Sequence, residues 1–121
     1  MTSLSQNTPS PIASLEASQT ASMQETAARI RSLNRNMSAS IIEIGRELLH
    51  MKAMMVHGTF TRWVENDCGL KRRSCQNYML VAAFVADKSA SVALLSPAVL
   101  YRLAAKSAPA DVVFAVLRLV E

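Results

Sequence analysis

A 3,4 repeat of apolar side chains runs from about Ser22 to Met55 and predicts one long amphipathic helix. Ser38, Ser40 and Gly45 weaken its middle and allow a break near residues 36–40. The repeat consists of two interleaved seven-residue series: Ile30, Met37, Ile44 and Met51, and Asn34, Ile41, Leu48 and Met55.

Two interpretations of this helix are open. A period of 3.5 residues is typical of a dimeric coiled coil, in which a polar residue such as Asn34 often sets the register. A period of 3.6 indicates a helix packed on its own domain, and the two periods are hard to separate over this length. The first interpretation predicts a homodimer whose seam is formed by Ile30, Met37, Ile41, Ile44 and Leu48.

The first 21 residues differ from the rest in composition. They are rich in Ser, Thr, Gln and Pro and carry one charge, Glu16. Such a segment buries too little apolar surface to offset the cost of ordering it. The sequence therefore predicts a disordered tail over residues 1–21 and one helical domain over residues 22–121.

A helix-turn-helix is predicted at about residues 60–86. His57 and Gly58 are expected to end the long helix, with Gly58 in the left-handed conformation, and Thr59 to cap the next one. That helix ends near Asp67, and Gly69 supplies the positive φ that the turn requires. A third helix then runs from about residue 71 to residue 86.

The third helix has two chemically different faces. One face is apolar and predicted to point inward: Cys75, Tyr78, Met79, Ala82 and Val85. The other carries groups that bind phosphates and base edges, since Arg pairs with guanine and Gln or Asn with adenine. The sequence therefore predicts a DNA-contacting set of Lys71, Arg72, Arg73, Gln76 and Asn77. The alternative is a solvated basic face on a helical core.

Two short helices are predicted after this motif. Ser96 can cap the first, with Pro97 at its first position, where a missing N–H costs nothing. The second begins near Ala110, after Pro109, and its apolar run VVFAVLRLV is also compatible with a strand. The fold class is all-α: a long N-terminal helix, a helix-turn-helix and two short C-terminal helices.

Composition narrows the function classes. Half of the residues are apolar, which is enough for a core, and only 5% are aromatic, so that core is mainly aliphatic. The chain has only 3 Gly and 4 Pro, and so few turn residues favour an all-α protein. The net charge is +4, and residues 71–86 carry three positive charges and no negative one, which favours a polyanionic partner. We expect Cys68 and Cys75 to be buried reduced thiols, although their spacing permits a disulfide.

Several classes of function lack a sequence signal. No nucleophile elbow, phosphate loop or HExxH pattern is present, so we expect no enzymatic activity and no cofactor. Only His50 and His57 accompany the two cysteines, so no zinc site is expected. No signal peptide or membrane span is apparent, so we expect a cytoplasmic protein.

Residues between Ile41 and Leu103 match four short motifs. Those of the "IG–E–L–AK", "HG-F–W" and "GLS-RTAQRYM" motifs are Ile44, Gly45, Glu47, Leu48, Lys52, His57, Gly58, Phe60, Trp63, Gly69, Leu70, Arg73, Gln76, Tyr78 and Met79. Those of the later "SP–LY-LA" motif are Ser96, Pro97, Leu100, Tyr101, Leu103 and Ala104. With these motifs the block resembles an uncharacterised family of small helical proteins of bacteria, plasmids and phages. The resemblance implies a helix-turn-helix-like, DNA-binding protein that acts in plasmid or phage gene control. The family's turn serine is replaced by Lys71.

The sequence thus favours a sequence-specific DNA-binding protein, either a transcriptional regulator or a plasmid or phage maintenance factor, with double-stranded DNA and a second copy of itself as partners. The alternative is a protein-interaction or oligomerisation module that binds no nucleic acid, because a long heptad helix and seven methionines also suit partner binding.

Overall fold

The computed structural model describes residues 11–120, which are all-α as predicted and contain no strand. Residues 11–33 belong to one compact unit and residues 34–120 to a second. The helices are α1 (Pro11–Met54), α2 (His57–Asn66), α3 (Arg72–Val85), α4 (Ala90–Ala93), α5 (Pro97–Ala104) and α6 (Ala110–Val120).

Helix α1 differs from its prediction in two respects. It begins at Pro11 instead of near Ser22, so residues 11–21 of the predicted disordered tail are helical, while residues 1–10 lie outside the described residues. Ala, Leu, Glu and Gln are frequent between residues 13 and 28, and these residue types favour helix. The helix also continues unbroken through residues 36–40, so the predicted break is wrong.

Ser38 explains why α1 does not break. Its side chain is fully buried, and its hydroxyl donates a 2.6 Å hydrogen bond to the carbonyl oxygen of Leu95. A serine weakens a helix when its hydroxyl competes for nearby backbone groups. Here the hydroxyl is bonded to a different segment of the chain, so the residue joins α1 to the α4–α5 connection.

Two apolar clusters form the core of the second unit. The first contains Ile41, Ile42, Val81, Val85, Val92 and Leu100. The second contains Leu48, Phe60, Val64 and Cys75. Both clusters combine residues of α1 with residues of α3, and Tyr78 packs against both. The apolar face of α3 therefore packs against the core along the length of the helix.

Gly45 lies where α1 and α3 come closest. A Cβ atom placed on this glycine would lie 2.7 Å from the Cβ of Ala82 and 2.8 Å from the carbonyl carbon of Tyr78. Contacts this short are sterically forbidden, so only glycine fits. The glycine that weakens α1 by helix propensity therefore allows the close contact that positions α3.

The connection between α1 and α2 also differs from its prediction. Helix α1 ends at Met54, and the extended Val56 precedes α2, which begins at His57. Gly58 therefore lies in the first turn of α2 without a positive φ, and Thr59 lies inside the helix instead of capping it. Both predictions for these residues are wrong because the chain turns two residues earlier, at 55–56.

The C-terminal segment forms α4, α5 and α6. Ser96 caps α5 as predicted, because its Oγ accepts a hydrogen bond of 3.4 Å from the backbone N–H of Val99. Helix α6 confirms the prediction of helix over strand. Helix α4 was not predicted, yet its Val92 is fully buried and completes the first cluster beside Leu100.

Candidate functional site

The turn between α2 and α3 fixes where α3 begins. Gly69 has φ +68, which confirms the predicted left-handed turn residue. The next backbone N–H, that of Leu70, donates to the carbonyl oxygen of Val64 at 3.1 Å, and Leu70 packs against the second cluster. The extended Lys71 follows and α3 starts at Arg72.

The face of α3 that was predicted to contact DNA is accessible. Lys71, Arg72, Arg73 and Gln76 are exposed, and Asn77 is half-buried. The predicted inward face is also confirmed in its main residues, since Cys75, Ala82 and Val85 are buried. The helix thus presents its basic and amide side chains on the face turned away from the core.

The start of α3 carries a positive charge, and one carboxylate, that of Glu65, lines the hollow beside Arg72. The first turn contains no acidic residue, and the side chain of Lys71 forms no capping hydrogen bond. The ion pairs of the described residues are Arg46–Glu43 and Lys88–Asp87, and neither involves Lys71, Arg72 or Arg73. The unbonded N–H groups of a helix start attract anions, and these three cations add to that field.

Two hollows border α3 and bring further cations to it. The first, about 270 Å³, is lined by residues of α1, α2 and α3, including Arg72 and Glu65. The second, about 580 Å³, lies between α1, α3 and the end of α5, and no acidic residue lines it. Lys52 and Gln76 line both hollows, and Lys106 lines the second.

Lys52 and Lys106 were not predicted as site residues. Lys52 follows the buried Leu48 by one turn of α1, and Lys106 lies two residues beyond the end of α5. Neither belongs to a run of adjacent cations such as that at residues 71–73, so no local charge cluster marks it. Only the packing of α1 and α5 against α3 brings them to the hollows beside the basic face.

The aromatic residue of the second hollow is Tyr101. Burial raises the pKa of its phenol, and Tyr78 raises it further. The phenol therefore stays protonated at neutral pH and adds no negative charge to the hollow. This surface accordingly combines lysine ammonium groups, amide side chains and a neutral phenol.

Both cysteines are free thiols, but only Cys75 is buried; Cys68 is exposed, so its predicted burial is wrong. Burial raises the pKa of both thiols, aided by Asp67 for Cys68 and by Cys68 for Cys75. A raised pKa leaves little reactive thiolate at neutral pH.

We therefore expect only one thiol of the folded protein to react with thiol reagents, and to react slowly. Cys68 should react slowly with a disulfide reagent at pH 7 and faster as the pH rises toward its raised pKa, because the thiolate is the attacking species. Cys75 should react only in denaturant, because it is buried on the inner face of α3 in the second cluster. A colorimetric thiol titration of wild type and Cys68→Ser measures both; rapid reaction of two thiols in the folded chain would contradict this packing.

Some of the predicted dimerisation residues are buried inside the chain and others are exposed. Ile41 and Leu48 are buried in the chain's own clusters, which favours the packed-helix interpretation for these two residues. Ile30 and Met37 are each 54% exposed, and Ile44 is 38% exposed. These three side chains remain accessible.

Among residues 11–120, no group of three or more His, Cys, Asp or Glu side chains is placed to hold a metal ion. Within the same range, no helix has the length and apolar character needed to cross a membrane.

The comparisons with known proteins give one match. No curated protein and no solved structure matches the chain significantly. A family described as "Protein of unknown function (DUF3102)" matches residues 17–99, which include α2, α3 and most of α1. This agrees with the predicted resemblance to an uncharacterised family. Because the match covers more than half of the sequence, the chain belongs to the DUF3102 family.

Proposed function

We propose that this protein binds double-stranded DNA in a sequence-dependent manner, with α3 as the helix that enters the major groove. One observation carries the proposal. The start of α3 exposes three cations and Gln76 on one face, while the opposite face is fixed in two core clusters. A rigid helix with such a face is the element that many DNA-binding proteins insert into DNA.

The dimensions and chemistry of α3 suit the major groove. An α-helix with side chains is about 10–12 Å wide and the groove is about 12 Å wide. Arg73 and Gln76 lie on adjacent positions of the exposed face, one turn apart. We assign Arg73 to guanine, whose O6 and N7 accept two hydrogen bonds, and Gln76 and Asn77 to adenine.

The phosphates are assigned to the residues around α3. Lys71 and Arg72 stand at the helix start, where the first N–H groups also favour an anion. Lys52 and Lys106 lie in the hollows that border the helix. Phosphate contacts position a protein on DNA without reading its sequence. This division assigns affinity to Arg72 and the three lysines, and specificity to Arg73, Gln76 and Asn77.

The role of such binding would be transcriptional regulation or the maintenance of a plasmid or phage. The accessible basic and amide face supports DNA contact. The biological setting is taken from the family resemblance, and a genome-wide selection of bound fragments tests it.

The test of DNA binding is a fluorescence-anisotropy titration of a random duplex with the full chain at about 50 mM and about 200 mM salt. About four phosphate contacts give a log–log slope near −3.6, which weakens binding on the order of 100-fold between these conditions. Absence of binding at the lower salt would overturn the proposal. It would favour the protein-interaction alternative, which is supported by the exposed apolar residues of α6, Val112, Phe114 and Leu119.

Removal of Lys52 and Lys106 should weaken DNA binding without changing sequence preference. Each lost phosphate contact removes about 0.9 from the salt slope, so Lys52→Ala/Lys106→Ala should reduce it by about 1.8 and lower affinity on the order of 50-fold at about 0.1 M salt. The same anisotropy titration measures both quantities.

The control for this pair removes equal charge elsewhere. Lys88 lies 4.9 Å from the ring centroid of Phe84, and Arg118 lies 5.9 Å from that of Phe114. We assign neither residue to DNA, so Lys88→Ala/Arg118→Ala should change the slope by less than about 0.5. Equal losses in the two double variants would show that only net charge matters and would refute the assigned positions.

A further inference from the structure

The N-terminal part of α1 is a helix without packing inside its own unit. Of the side chains between residues 12 and 33, only Ala27 is even half-buried, and all others are exposed. A single helix of this length gains little stability in water, because nucleation is costly and tertiary contacts normally supply the rest. The helical state of residues 11–33 therefore points to a packing partner.

The exposed side chains of this segment form one apolar stripe. Ile12, Leu15, Met23, Ile30 and Leu33 are 69%, 67%, 71%, 54% and 61% exposed. Gln19 and Thr26 fill the two gaps in the spacing, so an apolar or small polar side chain recurs every three or four residues. At about 100° per residue, all seven positions lie within a sector of about 80°. This narrow stripe has the geometry of a coiled-coil seam.

We infer that this stripe, Ile12 to Leu33, is the dimerisation surface of the protein and that its occupant is the same stripe of a second copy. The apolar area of the stripe is large enough for a dimer interface. Each apolar side chain offers on the order of 100 Å², so two copies of five side chains bury about 1,000 Å². That reaches the lower bound of about 1,000 Å² that a specific interface requires.

The charges of the segment favour a second copy over a charged partner. Between residues 12 and 33 the chain carries two acidic residues, Glu16 and Glu25, and two basic residues, Arg29 and Arg31. A neutral segment does not repel its own copy, and it offers no field for the polyanion that the start of α3 attracts. The inference is therefore independent of the proposed DNA binding.

The seam inferred here differs from the one predicted from sequence. The predicted set placed Ile41 and Leu48 in the interface, but both belong to the chain's own core. The inferred seam retains only Ile30 of that set and extends toward the N-terminus, into the segment predicted to be disordered.

The test is sedimentation equilibrium of the full chain between about 1 µM and about 100 µM. Wild type should sediment at twice the 13.2 kDa mass of one chain. Ile30→Glu/Leu33→Glu should raise the dissociation constant at least 100-fold, by roughly 2.7 kcal/mol, because four carboxylates would enter the seam. The milder Ile30→Ala/Leu33→Ala should give a smaller increase, since alanine keeps the helix and removes only apolar area.

A matched variant places the same charges on the opposite side of the helix. Ala28 lies about 180° and Ser32 about 140° from the centre of the stripe, and both are exposed. Ala28→Glu/Ser32→Glu should remain dimeric. The inference fails if wild type is monomeric at about 100 µM, or if the stripe and control variants dissociate equally. Circular dichroism checks that each variant keeps its helix content.

Discussion

Gly45→Ala is expected to lower the free energy of unfolding by about 3 kcal/mol, the largest loss that we expect from any single added methyl group in this chain. The added Cβ would enter the space between α1 and α3, 2.7 Å from the Cβ of Ala82. Alanine would favour the helix itself by about 1 kcal/mol, so the observed loss is the steric cost minus this gain.

The steric cost is high because the obstacle is backbone. The new Cβ would also meet the carbonyl group of Tyr78, which belongs to the helical backbone of α3. A flexible side chain could rotate away, but this carbonyl moves only if the whole helix does. Since α1 and α3 contribute to both clusters, separating them loosens the core along its length.

Gly58→Ala provides the matched control. Gly58 is exposed in the first turn of α2, its φ is not positive, and nothing lies within 4 Å of an added Cβ. The same methyl group should therefore raise stability by up to about 1 kcal/mol. Urea unfolding followed by circular dichroism, at one protein concentration for all variants, measures both changes. Equal effects at the two glycines would refute the close approach of α1 and α3.

The helices that could be predicted from the sequence are those with local signals. The start of α5 follows from Ser96 and Pro97, and the turn before α3 follows from Gly69; each feature acts within a few residues of itself. Helix α4 spans only four residues, about one helical turn, and a hydrophobic pattern must repeat over several turns before it can be recognised.

Ser38 and Gly45 show what local signals cannot reveal. Both lower helix propensity, and the sequence therefore predicted a weak middle of α1. Their stabilising roles depend on Leu95 and Tyr78, which are 57 and 33 residues further along the chain. Only the packed fold brings these partners together. Ser38 and Gly45 therefore lower helix propensity locally but form close tertiary contacts of α1 in the folded chain.

The residues of the candidate site also fall into two groups, those that local sequence signals reveal and those that only the packed fold brings together. The residues of α3 share one helix, so their common face follows from the helical period alone. Lys52 and Lys106 are separated from α3 along the chain, and they reach it only through the packing of α1 and α5. A basic helix could therefore be recognised from sequence, whereas the cations around it could not.

Arg72→Ala/Arg73→Ala should have the largest effect on DNA binding. Loss of Arg72 removes one phosphate contact, and loss of Arg73 removes a base contact worth about 1–3 kcal/mol. Together these changes should weaken binding to a preferred site on the order of 100-fold or more at about 0.1 M salt. Stability should change by less than about 0.5 kcal/mol, because both side chains are exposed and form no ion pair within the described residues.

The two arginines should also be separable in their effects. Arg73→Ala should relax the base preference at one position of a selected site and leave the salt slope nearly unchanged, whereas Arg72→Ala should weaken binding to all sequences and reduce the slope by about 0.9. Arg29→Ala/Arg31→Ala removes the same charge from the N-terminal unit and should leave affinity within about threefold of wild type. If that control loses as much affinity as Arg72→Ala/Arg73→Ala, then α3 is not the element that reads DNA, because binding would follow total charge and not the position of the arginines.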